Sequence, residues 1–336
     1  MTPDLQTELA MPAAAAPRRR RLIELALTVI VAVALLAITL HFVDVSRVAN
    51  SLRRIGPGAA ILAGVLALIQ VALCALRWSL ISRLTPTPLR LRDASLGYLE
   101  AAFINAFLPS LIVSDGTRVV RAISCGATPT YAFVGVASDR LVALCALAIA
   151  SATGLLFLPE ASKHPLVVLA LVGLLPGFVF GLVVLDLLGR YFVRLARFRI
   201  VRPFLELASL MERLRRMPGL TAIVLAISLV GHAFGAGAFY VLSQQLGLNV
   251  GYWAMFALSA PIVVYSSVPI SIGGWGLREV LSAALFGLVG VAPASGVALS
   301  IAYGLLMSAV GLGCGAVALM VQLRRRTLPL RKAAQS

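Results

Sequence analysis

The sequence predicts an all-α polytopic integral membrane protein, with six full transmembrane crossings and two interrupted, re-entrant helical hairpins in an inverted-repeat arrangement. Three observations predict it. The 336 residues are 60% hydrophobic and only 12% charged, with a mean hydropathy of +0.97; a soluble domain is roughly half apolar and about a quarter charged. The chain holds several uncharged runs long enough to span a bilayer. Two further apolar segments carry proline and glycine where a simple spanning helix would not. Too little polar surface remains to cover a water-soluble globule, which excludes a cytosolic enzyme, a secreted disulfide scaffold and a disordered chain.

A hydrocarbon core of ~30 Å requires about 20 apolar residues in a helix. Residues 22–43 fit, with one charge, Glu24, near the start. They follow Arg18, Arg19, Arg20 and Arg21. The stretch is too long for a signal peptide and no small-x-small cleavage site follows it, so a retained anchor is expected. Further crossings are expected at 58–81, 140–158, 166–188, 219–243 and 294–322. Two segments are left over, 95–137 and 252–291, and each must cross twice or dip and return. The first contains Pro109, Ser110 and Gly116; the second contains Pro261, Pro269, Gly273, Gly274 and Gly276. Non-helical backbone at membrane depth survives only where protein or a watery cavity covers it. Two interrupted segments, one entered from each face, point to an inverted-repeat transporter with a site near the midplane. Two ordinary hairpins with Pro/Gly turns would leave the same pattern.

The 29 Lys+Arg against 13 Asp+Glu give a net charge of +16. Most of these basic residues flank apolar runs, so they set membrane topology and no nucleic-acid partner is expected. Arg18–21, the group Arg77, Arg83, Arg90 and Arg92, eight arginines between 190 and 216, and Arg324, Arg325, Arg326, Arg331 and Lys332 mark the cytoplasmic side. Arg47, Arg53, Arg54 and Lys163 fall in the expected outer loops. The division is thus a basic cytoplasmic tail at 1–20, a transmembrane domain at 21–323 and a second basic tail at 324–336. Both termini are then cytoplasmic in an inner or plasma membrane. Within the domain, 189–217 interleaves arginine with Leu195, Phe198, Leu205, Leu207, Leu210 and Leu214. That reads as an amphipathic helix on an anionic leaflet or as a plain basic connector.

The four cysteines (Cys74, Cys125, Cys145, Cys314) show no CxxC, and His41, His164 and His232 are scattered. No disulfide framework, metal site or cofactor is expected.

A charge at the bilayer centre costs about 2.5–3.5 kcal/mol on insertion scales, so it needs a partner or a cavity. Arg278 and Glu279 are the only charged residues in 217–323 and follow the Gly-rich break Gly273-Gly274-Trp275-Gly276. Backbone N–H groups freed at such a break, beside a guanidinium, form an anion pocket. Asp115 and Arg118 are three apart and share a helical face, Arg121 continues it, and Asp139-Arg140 opens the next span. Arg118, Arg121 and Arg140 can supply the facing half of the pocket, and a bidentate guanidinium matches phosphate. Blander readings stand beside this. Arg118 and Arg121 snorkel to the interface; Asp139-Arg140 is a helix-start pair; Arg278-Glu279 is a structural ion pair; Glu100 and Asn105 bond neighbouring helices; Trp275 is an interface anchor.

The run Asn105…Pro109…Asp115-Gly116…Arg118…Arg121, the pair Asp139-Arg140, and Pro269-Ile270-Ser271-Ile272-Gly273-Gly274-Trp275-Gly276-Leu277-Arg278-Glu279 resemble the lysylphosphatidylglycerol synthase transmembrane-region family, also called the flippase-like domain family. The likeness covers roughly 20–325. Ser114 stands where the family usually has glycine, and Asp139 where it usually has glutamate. The resemblance implies a polytopic protein that moves lipids with charged or bulky headgroups between leaflets, near lipid-modifying and glycosyl-transferring enzymes. In the two-domain synthases aminoacyl transfer belongs to a soluble C-terminal domain, so no such activity is expected here.

The leading expectation is a lipid or lipid-linked-intermediate translocase and not an enzyme. Its partner is a membrane lipid whose anionic headgroup sits among Asn105, Asp115, Arg118, Arg121, Asp139, Arg140, Gly273, Gly274, Trp275, Gly276, Arg278 and Glu279. No GxxxxGK[ST] loop is present, so turnover would be passive or ion-coupled. A membrane-embedded glycosyl or lipid transferase, and a non-catalytic partner subunit of a lipid-modifying enzyme, are the alternatives.

Overall fold

The computed structural model of the protein describes residues 53–107, 111–158, 165–191, 201–266, 276–287 and 289–333. The expected crossing at 22–43, the basic tail before it, and Pro109, Ser110, Pro269, Gly273, Gly274 and Trp275 lie outside the described residues. The described chain is all helical. In order it forms α1 (Pro57–Ser82), α2 (Leu91–Phe107), α3 (Leu111–Ser124), α4 (Pro129–Ala152), the single turn α5 (Gly154–Phe157), α6 (Pro165–Val172) and α7 (Leu174–Tyr191). There follow α8 (Arg202–Arg215), α9 (Pro218–Gln245), α10 (Tyr252–Ser266), α11 (Leu277–Gly287) and α12 (Pro293–Ala333). Helices α1, α4, α9 and α12 as far as Leu323 are long and apolar enough to cross a membrane.

Local chemistry sets the boundaries. Pro57, Pro129, Pro218 and Pro293 each occupy the first turn of a long helix, where the missing N–H costs nothing and the fixed φ already suits the helix. Thr128 caps α4, its Oγ1 accepting from the Tyr131 N–H at 3.4 Å. Helix α3 stops at Gly126 (φ +97°), where the N–H of Ala127 donates to Ala122 O and that of Gly126 to Ile123 O. Helix α11 stops in the same way at Gly290 (φ +83°), with Val291 N donating to Phe286 O. In both places a proline three residues on, Pro129 or Pro293, starts the next long helix.

That recurrence extends to the whole architecture. Each half runs long helix, helical pair, long helix: α1, α2–α3, α4, and again α9, α10–α11, α12. The neighbours match one for one. Helix α1 packs on α2 as α9 packs on α10, α3 on α4 as α11 on α12, α2 on α12 as α10 on α4, and α1 on α12 as α9 on α4. The equivalent helices α1 and α9 pack on each other and run antiparallel: Gly231 lies against Leu73, Gly235 against Gln70 and Gly237 against Leu66, while Gly56 N donates to Gln245 Oε1. A pair of equivalent helices pointing opposite ways is the mark of an inverted repeat.

Small residues let the halves close on one another. A Cβ at Gly311 of α12 would stand 2.6 Å from Ala102 O of α2, and Gly315 one turn on lies under Phe103. At Gly296 a Cβ would stand 2.8 Å from Ser282 O, which is how closely α12 approaches α11. The largest apolar cluster joins α9 through α12, with Phe239 stacked on Tyr303 at 3.8 Å between centroids.

Three expectations change. Arg77 is no loop marker: it lies inside α1, 4% exposed. The span expected to open at 140 begins at Pro129, because the Thr128-Pro129 cap overrides the charge pair as a start signal, and so Asp139 and Arg140 sit in mid-helix. The stretch 166–188 is divided at Gly173 into α6 and α7. Within 189–217, residues 202–215 form α8, which buries Leu207, Ala208, Leu210 and Leu214 against the bundle and turns Arg213, Arg215 and Arg216 outward.

Candidate functional site

Four helices bring charged and aromatic side chains to one buried point. Arg77 and Trp78 come from the end of α1, Tyr98 from α2, Asp115 and Arg118 from α3, and Asp139 and Arg140 from α4. Asp139 is wholly buried and is the hub. It accepts from Arg77 Nε at 2.7 Å and Arg77 Nη2 at 3.2 Å, from Tyr98 Oη at 2.6 Å, and from Arg118 Nη2 at 2.6 Å. Arg77 also donates to Ser228 Oγ of α9 at 3.1 Å. The Arg118 guanidinium lies 4.5 Å from the Trp78 ring centre and 4.1 Å from that of Tyr98, so two aromatic faces stabilise a cation removed from water. Its Nε has no partner among the described residues.

From Arg118 the network runs outward. Arg118 Nη1 donates to Asp115 at 3.1 Å, and Asp115 is held from its other side by Arg140 in a fork of 2.7 and 2.8 Å. The Arg140 and Asp115 side chains are 37% and 23% exposed, so the group is sealed at Asp139 and open at Arg140. Three guanidinium groups face two carboxylates, leaving an excess of one positive charge. Burying ions is expensive, and such a group persists only where nearly every donor and acceptor is matched.

Arg121, one turn beyond Arg118, turns elsewhere. It forms an ion pair with Glu100 of α2, which also accepts from Gln322 Nε2 of α12 at 2.5 Å. Asn105 is half-buried near the end of α2. At the second break Gly276 is buried, has φ +84° and caps α11, its N–H donating to Glu279 Oε2 at 2.6 Å. Glu279 is 0% exposed; its other oxygen accepts from Arg278 Nη2 at 3.0 Å and from Ser300 Oγ at 2.8 Å, and Arg278 Nε donates to the same Ser300 hydroxyl at 2.9 Å. The structure therefore gathers Asp115, Arg118, Asp139 and Arg140 into one group and Gly276, Arg278 and Glu279 into another, with Arg121 in a third pairing.

Sequence reading missed Arg77, Trp78, Tyr98, Ser228 and Ser300 as site residues. A signal for the pairing of the two groups was present. Pro109 and Pro269 each begin a P-x6-G-x-R string, ending at Gly116-Thr117-Arg118 and Gly276-Leu277-Arg278. Arg118 bonds Asp139, 21 residues on; Arg278 bonds Ser300, 22 residues on. The same arginine thus docks on the next long helix in each half.

A bundle of antiparallel repeats with ion pairs buried between apolar helices defines a polytopic membrane protein. The lysylphosphatidylglycerol synthase TM region matches residues 23–328, nearly the whole chain, and the chain belongs to that family of membrane proteins with lipid-related function. No curated protein matches it.

Proposed function

We propose that the protein is a translocase of a membrane lipid or lipid-linked intermediate, binding an anionic headgroup at its buried arginines. One observation carries the reading: three arginines share two carboxylates, and the member left partly exposed, Arg140, is held among the described residues through Asp115 alone, at the open end. A phosphate-bearing headgroup that displaces Asp115 from Arg140 neutralises the surplus charge and offers the same bidentate geometry. The acyl chains stay in the bilayer meanwhile. In this reading α2–α3 and α10–α11 are re-entrant hairpins, entered from opposite faces. Their lengths of 17, 14, 15 and 11 residues fall short of the ~20 of a full crossing. The Arg278–Glu279 group, two-fold equivalent to the first, receives the headgroup from the other side. The arginine-rich segments support a topology with both termini on the cytoplasmic side of an inner or plasma membrane. The protein makes and breaks no bonds; a lipid-modifying or glycosyl-transferring enzyme is the natural user of its product.

The test is headgroup accessibility of a fluorescent anionic phospholipid in reconstituted vesicles. Native protein exposes inner-leaflet headgroups to an external quencher; Arg140→Ala and Arg278→Ala each slow this. Equal rates for native protein, both variants and protein-free vesicles would reject the reading.

A further inference from the structure

A cavity of about 380 Å³ opens between α4, α7, α8 and α9, apart from the charged groups. Leu141 and Cys145 line it from α4, Leu182 and Val183 from α7, Met211 from α8 and Leu225 from α9. Among the described residues its polar lining consists of Thr221, Glu212 and Arg215. The Thr221 hydroxyl is already used, donating to Leu214 O at 2.6 Å. Glu212 and Arg215 belong to a rim of different character. Glu212 accepts from Arg215 at 2.6 and 2.8 Å and from Arg216 at 2.8 Å, with the two arginine side chains 71% and 74% exposed. Arg213 turns elsewhere, donating to Leu84 O at 3.3 Å and to Ser209 Oγ at 3.4 Å. Two arginines against one glutamate leave this rim cationic. On the α7 side Val179, Phe180 and Val183 are 51%, 70% and 49% exposed, so the slot is bounded by an apolar surface suited to lipid.

We propose that this slot is a resident binding site for one acyl chain of an anionic phospholipid, whose phosphate lies on Arg215 and Arg216. An apolar chamber under a cationic rim, flanked by an exposed apolar helix, is complementary to an amphiphile with a negative head. A neutral lipid leaves the arginines unused, and a free anion leaves the chamber empty. Glu212 is the internal competitor for the headgroup. Its two arginine partners hold its carboxyl down at about 2, so it stays charged across the physiological range and weakens the rim without cancelling it. The site is independent of the translocation reading, since none of its polar residues belongs to the Asp139 or Glu279 groups.

The experiment uses the full chain in phosphatidylcholine vesicles containing phosphatidylglycerol with a diazirine on one acyl chain. After photolysis, labelled peptides are mapped by mass spectrometry. Label concentrates around Cys145, Leu182 and Met211. Arg215→Ala lowers it about fivefold, the effect of removing roughly one basic residue at a membrane surface. Glu212→Gln raises it. Val183→Trp fills the slot and removes it, while an unchanged melting temperature shows that the bundle is intact. Arg92→Ala, at an exposed arginine of α2 away from the cavity, leaves it unaltered. Three outcomes would overturn the proposal. One is equal labelling by a phosphatidylcholine probe. Another is label spread evenly onto exposed α12 residues such as Leu319 and Met320. The third is no label in the slot, with Cys145 instead cross-linking readily to a cysteine introduced in 22–43, which would show that the chain itself fills it.

Discussion

Arg77 grips both carboxylate oxygens of Asp139 across 62 residues of sequence, and the pair is 5% and 0% exposed. Removing one member of a buried pair strands the other, at a cost of about 3–5 kcal/mol. Arg77→Ala is therefore expected to lower the thermal midpoint of the detergent-solubilised protein sharply. The double variant Arg77→Leu/Asp139→Leu should recover little of that loss, because it leaves the buried Arg118 without its inner carboxylate. If the single variant melts like the native protein, the pair is not a structural clamp.

Asp115 differs because it is partly exposed and shared by Arg118 and Arg140. Asp115→Asn raises the surplus at the site by one positive charge while keeping a hydrogen-bonding side chain in place. It should increase the anionic lipid that co-purifies, read by native mass spectrometry, with a stability loss smaller than that of Asp139→Asn. Equal losses for the two, or no change in bound lipid, would contradict a displaceable counter-ion.

At Gly311 the obstacle to a side chain is backbone. Since a Cβ would stand 2.6 Å from Ala102 O, Gly311→Ala must push α12 off α2, an overpacking that costs about 1–3 kcal/mol. At Gly235 the nearest atoms are the end of the flexible Gln70 side chain, so Gly235→Ala should cost less. Thermal midpoints of the two variants decide the order.

The left-handed glycines offer a third comparison. Gly126→Ala and Gly290→Ala each place a Cβ on a residue with φ near +90°, and each should cost more than the 0.4–1 kcal/mol that a permissive Gly→Ala change typically gains. Gly126→Asn should cost less than Gly126→Ala, since asparagine visits this region more readily. Similar midpoints for Ala and Asn would argue that these turns relax.

The architecture was legible because its signal is gross. Uncharged runs read directly as helices, and Pro109, Gly116, Pro269 and Gly276 marked the two segments expected to be broken. The site was legible only in part. Asp115, Arg118, Asp139 and Arg140 stood out as charges in apolar surroundings. Their inner partner Arg77 did not, because an arginine five residues before the end of a helix looks like the boundary charges that follow it. Trp78, Tyr98, Ser228 and Ser300 carry no formal charge and are common in membrane helices, so only their convergence in space distinguishes them. Equally hidden was the division of the arginines into separate groups, since partner choice depends on which long helix each hairpin meets.

The opposed directions of α1 and α9 place a demand on the stretch between the halves. Helix α4 starts beside the end of α1, with Gly135 against Trp78 and Thr85, and leaves toward the far side. Helix α9 must set out again from where α1 ended, so the chain has to make an odd number of return journeys in between. The apolar stretch from Pro165 to Tyr191 is the described part of that return. Deleting it would oblige the second half to insert upside down, and the buried seam between the copies would have no partner to close on.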